Sequence, residues 1–376
     1  MITVDDRGLR LVRANGSQVL LPLLALRDRC ECSKCQHPGG QRLLDPSTLP
    51  LELHAEVVHA DDNQLEIAWR PEGHRSTYSV AALARADAPV APAQLWTADH
   101  ADQLVTADHG NLVGDDAASQ RELLRWLRGV AAMGCGVMTG VPTQDGEVAR
   151  VAELFGYVRH TNYGRWFDVR TQVDPTNLAN TSLGLPPHTD NPYRDPVPTM
   201  QLLHCHHTSA SGGNNVLVDG WRVANDVGTL DPDGFHQLAT RPVTFAYCGD
   251  GASLRTTTPL IELDPHGNVR AVRSNHRSLQ QLPAATTDEE AEALATWYRG
   301  YTLLARLIAD PAFHVQVRLE AGDLFIVDNR RVLHGRTAYD PSGGTRHLQG
   351  CYADIDGLHS TIRVLESALD QPVGAR

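Results

Sequence analysis

Three thiols stand within six residues at Cys30-x-Cys32-x-x-Cys35. That spacing is too tight for mutual disulfides and suits wrapping one tetrahedral ion, with zinc the expected one. A structural zinc site needs a fourth ligand, and His37, His54, His59 and His74 all lie in the same N-terminal segment. His37 is too near the cluster for comfortable geometry, whereas His74, in the turn PEGHRS after the run QLEIAWRP, is placed to return to it. Such a closed site has no open position for a substrate, so its work would be to hold a small domain that lacks enough core of its own. The competing reading is a reactive or incidental group of thiols.

Around the cluster, the first 85 or so residues carry three strand-like runs, GLRLVRA, SQVLLPLLAL and QLEIAWRP. The Ala- and Pro-rich stretch ALARADAPVAPAQLW reads as a linker, which divides the chain into a zinc-binding domain at 1–88 and a larger domain at 89–376. A helix is expected to begin at Ser119, capped with Glu122, and to bury Leu123, Leu124, Leu127, Val130 and Ala131. A second is expected from Thr287 with Glu290, with a stripe of Ala291, Leu294, Trp297, Tyr301, Leu304 and Ile308, ending at Asp310-Pro311. Elsewhere the runs TMQLLHCHH, NNVLVDG, PLIELD, FHVQVRL and DLFIVDN read as short strands. The expected class is mainly β with flanking helices packed outside a sandwich or barrel.

The formal charge of -12, from 33 Lys+Arg against 45 Asp+Glu, argues against a nucleic-acid partner, whose binding face needs a basic surplus. No run approaches the roughly 20 apolar residues that span a bilayer, and the N-terminus has no signal-like apolar stretch, so a cytoplasmic protein without a membrane partner is expected. The scattered Cys135, Cys205, Cys248 and Cys351 read as small buried hydrophobes of a reducing compartment.

His-x-Asp occurs three times, at His59/Asp61, His100/Asp102 and His188/Asp190. The third has distant company. A non-heme Fe(II) site needs two histidines and one carboxylate on one face of the metal, with the remaining positions open. The segment AGDLFIVDNRRVLHGR supplies a turn, a buried strand and then His334, and Arg346 follows twelve residues later. An arginine there suits the distal carboxylate of 2-oxoglutarate, which it can grip through two parallel hydrogen bonds. Prolines 186 and 187 pin an extended approach in which His188 and Asp190 point to one side.

These residues carry a resemblance. LRDRCECSKC, LPPHTDNP followed by MQLLHC, NNVLVDG, and DNRRVLHGR with RHLQGCYADID together resemble the γ-butyrobetaine hydroxylase group of Fe(II)/2-oxoglutarate dioxygenases, over nearly the whole chain. The N-terminal cluster points to this group among taurine-dioxygenase-like enzymes. The resemblance implies a double-stranded β-helix (jelly-roll) catalytic domain, His188, Asp190 and His334 as iron ligands, Arg346 as the 2-oxoglutarate anchor, His74 as the fourth zinc ligand, and a homodimer. It further implies that O2 and 2-oxoglutarate are consumed, giving succinate and CO2, while a small quaternary-ammonium substrate is hydroxylated.

The pocket departs from the family pattern. Tyr163 and Tyr352 match aromatic residues that hold the trimethylammonium group by cation-π attraction, but Phe167 stands in place of a tryptophan and Asn180 in place of a tyrosine. Trp166 would compensate only if the backbone turned. Asn177 and Asn275 match residues that bind the substrate carboxylate, and the neighbouring His276 and Arg277 add cationic character suited to a phosphonate. The leading expectation is hydroxylation of γ-butyrobetaine to L-carnitine. A 2-(trimethylammonio)ethylphosphonate dioxygenase, or one for another quaternary-ammonium substrate, is the alternative, and a non-catalytic metal- or ligand-binding β-barrel sensor is the second.

Overall fold

The computed structural model describes residues 2–13, 16–84, 93–170, 181–209, 211–249, 251–340 and 344–369. The chain divides into two compact units, Met1–Pro89 and Val90–Arg376. The expected boundary at 88/89, most of the linker, Asn177 and Asn180 lie outside the described residues.

In the first unit, β1 (Ile2–Asp5), β2 (Gly8–Val12) and β3 (Gln18–Leu21) form an antiparallel meander. Helix α1 (Leu23–Asp28) follows, so the second half of SQVLLPLLAL is helical rather than extended: Pro22 ends the strand and stands at the helix N-cap. A second sheet joins β4 (His54–Ala60), β5 (Gln64–Arg70) and β6 (Arg75–Ser79), before the short α2 (Val80–Ala84). Strand β5 alternates, with Leu65, Ile67 and Trp69 buried on one face beside Leu9, Leu11, Leu26 and Tyr78.

The second unit opens with β7 (Val105–Asp108), α3 (His109–Leu112), α4 (Ala117–Met133), β8 (Cys135–Thr139), α5 (Glu147–Glu153), β9 (Phe167–Arg170), β10 (Leu185–His188), β11 (Met200–Thr208) and β12 (Asn215–Asp219). It continues with α6 (Gly220–Leu230), α7 (Pro232–Thr240), β13 (Val243–Gly249), β14 (Ala252–Thr258), β15 (Ile261–Leu263), β16 (Val269–Val272) and α8 (Asp288–Ala309). It closes with β17 (Val315–Val317), β18 (Leu324–Asp328), β19 (Val332–Arg336), β20 (Arg346–Ala353) and α9 (Ile355–Leu369).

The strands form a six-stranded sheet in the order β7-β8-β18-β11-β20-β9 and a four-stranded sheet in the order β10-β19-β12-β17. The chain passes from one sheet to the other between β11 and β12, back at β18, over again at β19 and back at β20, the winding of a double-stranded β-helix. Alternation explains the layering. In β18, Leu324 and Ile326 face the cluster under α4, α5 and α9, while Phe325 and Val327 face the core that also receives Leu217 and Val315 from the smaller sheet. Helices α6, α7 and α8 cover the other side of that smaller sheet, with Trp297, Leu304 and Ile308 of the expected stripe buried and Ala291 exposed. Each buried Leu- or Phe-sized side chain stabilises by roughly 1.5–3 kcal/mol, so these clusters, more than helical propensity, hold the layers.

Three local expectations change. Helix α4 begins at Ala117 because the Asp116 carboxylate accepts from the amides of Ala118 and Ser119; Ser119 donates its hydroxyl to that same cap, and Glu122 pairs with Arg125. At α8 the Thr287 hydroxyl does accept from the Glu290 amide, while the Glu290 carboxylate reaches Thr286. The run FHVQVRL is a strand only over Val315–Val317, since Asp310 caps a 3-10 turn through Phe313. Of the four scattered cysteines, Cys135, Cys205 and Cys351 are buried and Cys248 is exposed.

Candidate metal centres and cavity

Cys30, Cys32 and Cys35 lie in the tight loop after α1, where the Cys35 and Gln36 amides both donate to the Cys32 carbonyl. The turn between β5 and β6, with Gly73 at φ +71°, delivers His74 to them. Its Nε2 lies 3.4 Å from Cys30 Sγ, 3.6 Å from Cys32 Sγ and 3.7 Å from Cys35 Sγ. A tetrahedral ion with ordinary Zn–S and Zn–N bonds sets this separation at roughly 3.6 Å. Buried Arg27 donates to Cys35 Sγ at 3.3 Å and holds Glu72 through two hydrogen bonds of 2.7 and 2.5 Å. Burial pushes the Cys35 thiol up to about 11, and Arg27 opposes that, in the direction of the thiolate a metal requires. His37 is not part of the group; its Nδ1 accepts from the Gly39 amide.

In the second unit the ligand atoms of His188, Asp190 and His334 all lie within 4.8 Å of one another. The antiparallel register of β10 and β19 sets His188 directly opposite His334, with ring centroids 4.7 Å apart. That approach depends on Gly335, where a Cβ would come within 2.4 Å of the Leu185 carbonyl oxygen. His188 Nδ1 donates to the Pro186 carbonyl at 2.9 Å, which fixes the tautomer and leaves Nε2 bare toward Asp190 Oδ1 at 3.4 Å. His334 Nε2 is 4.0 Å from the same oxygen. The other carboxylate oxygen accepts from Gln201 and from the Tyr352 hydroxyl, each at 2.7 Å. Asn329 fixes the backbone, accepting from the Asp190 amide and donating to its carbonyl.

Burial alone would raise the Asp190 carboxyl, yet His188, His334 and Tyr352 hold it well below the usual carboxylate range. Burial pushes His334 down to about 3. A charged carboxylate beside two imidazoles is the donor set a divalent transition metal takes. The other His-x-Asp pairs serve locally: His59 pairs with Asp61 on an exposed strand, and His100 Nδ1 accepts from the Thr97 amide in a helical cap.

The three residues line a cavity of ≈ 870 Å³ that also receives Arg346, Tyr163, Phe167, Asn275, Arg277 and Tyr352. Arg346 is buried, with Asn215 Oδ1 accepting at 3.2 Å and no acidic partner among the described residues. Burial, and then the like charge of Arg336, push its guanidinium down to about 10. Tyr163 and Phe167 stand 6.0 Å apart, and Phe167 and Tyr352 5.2 Å. Trp166 turns away and packs over Gly146.

Two rings that the sequence reading missed complete the wall. Tyr193 and Tyr247 stack at 4.9 Å, Tyr247 lies 6.2 Å from Tyr163, and the Tyr163 and Tyr193 hydroxyls meet at 3.0 Å. Tyr193 stands three residues beyond Asp190, a signal within reach; Tyr247 arrives from a distant hairpin and left none.

The Asn275 amide is partly committed. Its Nδ2 donates to the Thr189 carbonyl, and its Oδ1 accepts from Arg277 Nε at 3.2 Å. Arg277 is exposed because it faces the open cavity; burial of its head lowers its pKa and Asp190 opposes that. His276 is not among the cavity residues.

Residues 97–352 match the family described as taurine catabolism dioxygenase TauD, TfdA, and residues 2–84 match the γ-butyrobetaine hydroxylase-like N-terminal family. The chain is 34% identical to a γ-butyrobetaine dioxygenase of Pseudomonas sp. (strain AK-1), covering 96% of this chain and 94% of that protein. It is 26% identical to a trimethyllysine dioxygenase of Meyerozyma guilliermondii, covering 93% and 91%. Among solved structures, an asparagine oxygenase shares the fold at a TM-score of 0.50 and 19% identity, covering 66% of this chain and 92% of its own. Among the described residues, no helix is long and apolar enough to cross a membrane.

Proposed function

Since the chain belongs to the taurine catabolism dioxygenase TauD, TfdA family and is a dioxygenase, we propose that it uses Fe(II) and 2-oxoglutarate to hydroxylate a small trimethylammonium acid, γ-butyrobetaine first among them. The observation that carries this reading is Arg346: a buried guanidinium with no acidic partner among the described residues lines the same cavity as His188, Asp190 and His334. A buried cation of that kind needs an anion, and a planar fork selects a carboxylate.

His188 Nε2, His334 and Asp190 Oδ1 would hold Fe(II), and Arg346 the distal carboxylate of 2-oxoglutarate. Bound there, the metal and cosubstrate supply the oxidising power to hydroxylate an unactivated carbon. The protein's own part is placement and exclusion of water. Tyr163, Phe167, Tyr193, Tyr247 and Tyr352 offer ring faces to the trimethylammonium group that γ-butyrobetaine and trimethyllysine share. Leu185, Leu203 and Leu348 add apolar lining. In the first unit, Cys30, Cys32, Cys35 and His74 would hold Zn(II) as a structural ion. A cytoplasmic homodimer is part of the same proposal, and sedimentation in the presence of both metals tests the assembly.

One observation favours a second reading of the substrate. Asn275 commits one N–H to Thr189 and its oxygen to Arg277, so the full positive charge offered beside it to the substrate's anionic end is the Arg277 guanidinium. A cation there suits 2-(trimethylammonio)ethylphosphonate, whose head group carries more charge than one carboxylate.

The test is anaerobic reconstitution with Fe(II) and 2-oxoglutarate, then O2 and a panel containing both compounds and trimethyllysine, with succinate and hydroxylated product measured. Product from γ-butyrobetaine supports the first reading and preference for the phosphonate the second. Succinate that responds to no panel member would sink both substrate assignments, and absence of charge-transfer absorption with 2-oxoglutarate would sink the iron reading.

A further inference from the structure

Tyr352 belongs to two subsites at once. Its ring stands 5.2 Å from Phe167 in the aromatic wall, and its hydroxyl donates to Asp190 Oδ2 at 2.7 Å. Strand pairing explains the second contact: Tyr352 on β20 lies directly opposite Gln201 on β11, and Gln201 Nε2 donates to the same oxygen at 2.7 Å. A cross-strand pair on the larger sheet is thus aimed at one atom of a residue that follows β10 of the smaller sheet. The two carboxylate oxygens are made unequal. Oδ2 is committed to two donors, and Oδ1 is the atom turned toward His188 and His334.

The difference has a chemical consequence. A carboxylate with both oxygens available can bind a metal through either one or both. One whose second oxygen is held by two hydrogen bonds binds through one, so three protein atoms occupy one face and three positions stay open for cosubstrate and O2. The ring contact is built as closely. Gly350, two residues before Tyr352, leaves room for Phe167, since a Cβ there would come 2.6 Å from the Phe167 ring.

We infer that Tyr352 is a positioning residue that ties the aromatic subsite to the iron carboxylate, holding Asp190 to one-oxygen ligation through the same side chain that walls the substrate's cation. The inference rests on the iron reading of His188, Asp190 and His334.

The test measures Mn(II) affinity by calorimetric titration in the unmodified protein and in Tyr352→Phe, Gln201→Leu and Phe167→Leu. Tyr352→Phe keeps the ring and removes the donor. It is expected to weaken Mn(II) binding about 10- to 100-fold, as loss of a partner of a metal ligand does, and to raise the 2-oxoglutarate consumed per hydroxylated product. Gln201→Leu removes the other donor to the same oxygen and should weaken Mn(II) binding in the same direction, which keeps the test intact if Tyr352→Phe does not fold. Phe167→Leu should raise KM for the cationic substrate and leave Mn(II) affinity where it was. Mn(II) affinity within about twofold of the unmodified protein in both donor variants would overturn the inference, since losing a ligand's partner should cost at least tenfold. No Mn(II) binding by the unmodified protein would instead overturn the iron reading beneath it.

Discussion

The two candidate metal centres differ in how far apart in the chain their residues stand and in what surrounds them. Cys30, Cys32, Cys35 and His74 come from one loop and one hairpin turn, and they meet as four atoms around a point. His188 on β10, Asp190 just beyond it and His334 on β19 are far apart in sequence, number only three, and open onto a cavity of ≈ 870 Å³. Four ligands close a tetrahedron and leave a metal nothing to do but hold the chain; three on one face leave room for chemistry. Their surroundings follow the same division: Arg27 beside Cys35 is already paired with Glu72, whereas Arg346 in the cavity has no acidic partner among the described residues.

The largest expected effect breaks the open site. His188→Ala should abolish turnover and Fe(II) binding there, whereas His59→Ala and His100→Ala, which remove the other His-x-Asp histidines, should leave Fe(II) binding as it was. Metal analysis after gel filtration checks this, and equal iron loss in all three variants would refute the assignment. Next, Arg346→Ala should raise KM for 2-oxoglutarate about 100-fold, the loss of two charge-assisted hydrogen bonds worth together about 3 kcal/mol, with Arg346→Lys intermediate because a point charge cannot fork. An unchanged KM would remove the cosubstrate from that end of the cavity.

The closed site is broken separately. Cys32→Ser should release zinc and lower the melting temperature of the first unit's transition, because the binding energy of a structural ion is folding energy. Mn(II) titration at the histidine site should be unaltered. A native protein that contains no zinc by elemental analysis would defeat the closed-site reading outright.

How much of this was legible in the sequence follows the same contrast. The closed site is nearly local, so spacing alone marked the thiols, and only the choice of histidine needed more. In the open site, the histidines were legible because one His-x-Asp stood upstream of a turn, a buried strand, a further histidine and an arginine, although the strand β19 that carries His334 was not among the expected runs. Gly335 and Asn329 gave no comparable signal: the first matters through the approach of another strand's backbone, and the second through bonds to a residue 139 positions away. The aromatic wall was half visible, since Tyr247 comes from a hairpin whose placement no periodicity predicts. Asn275 shows a subtler limit, for its residue type promised a free amide and only the fold reveals that Thr189 and Arg277 already take one N–H and the oxygen. Boundaries moved where a nearby polar side chain had a better use, as Asp116 displaced Ser119 at the start of α4.

The smallest effect uses the cysteines as reporters of both regions. Cys135 and Cys351 are buried, and burial pushes their thiols up to about 12, so at pH 8 on the order of 10⁻⁴ of either is thiolate and neither should react at a measurable rate. Cys248 is exposed and lines the cavity. In the metal-loaded protein, a thiol reagent should therefore label Cys248 first, and saturating Fe(II), 2-oxoglutarate and substrate under anaerobic conditions should slow that labelling a few-fold by filling the space around it. The thiols of the closed site should be silent until a chelator removes their ion, and should then appear as three further equivalents. Mass spectrometry of the labelled peptides distinguishes the two responses. Labelling of Cys30, Cys32 and Cys35 before chelation would mean that the loop is not closed around a metal, and ligand-independent labelling of Cys248 would place the bound substrate away from that wall of the cavity.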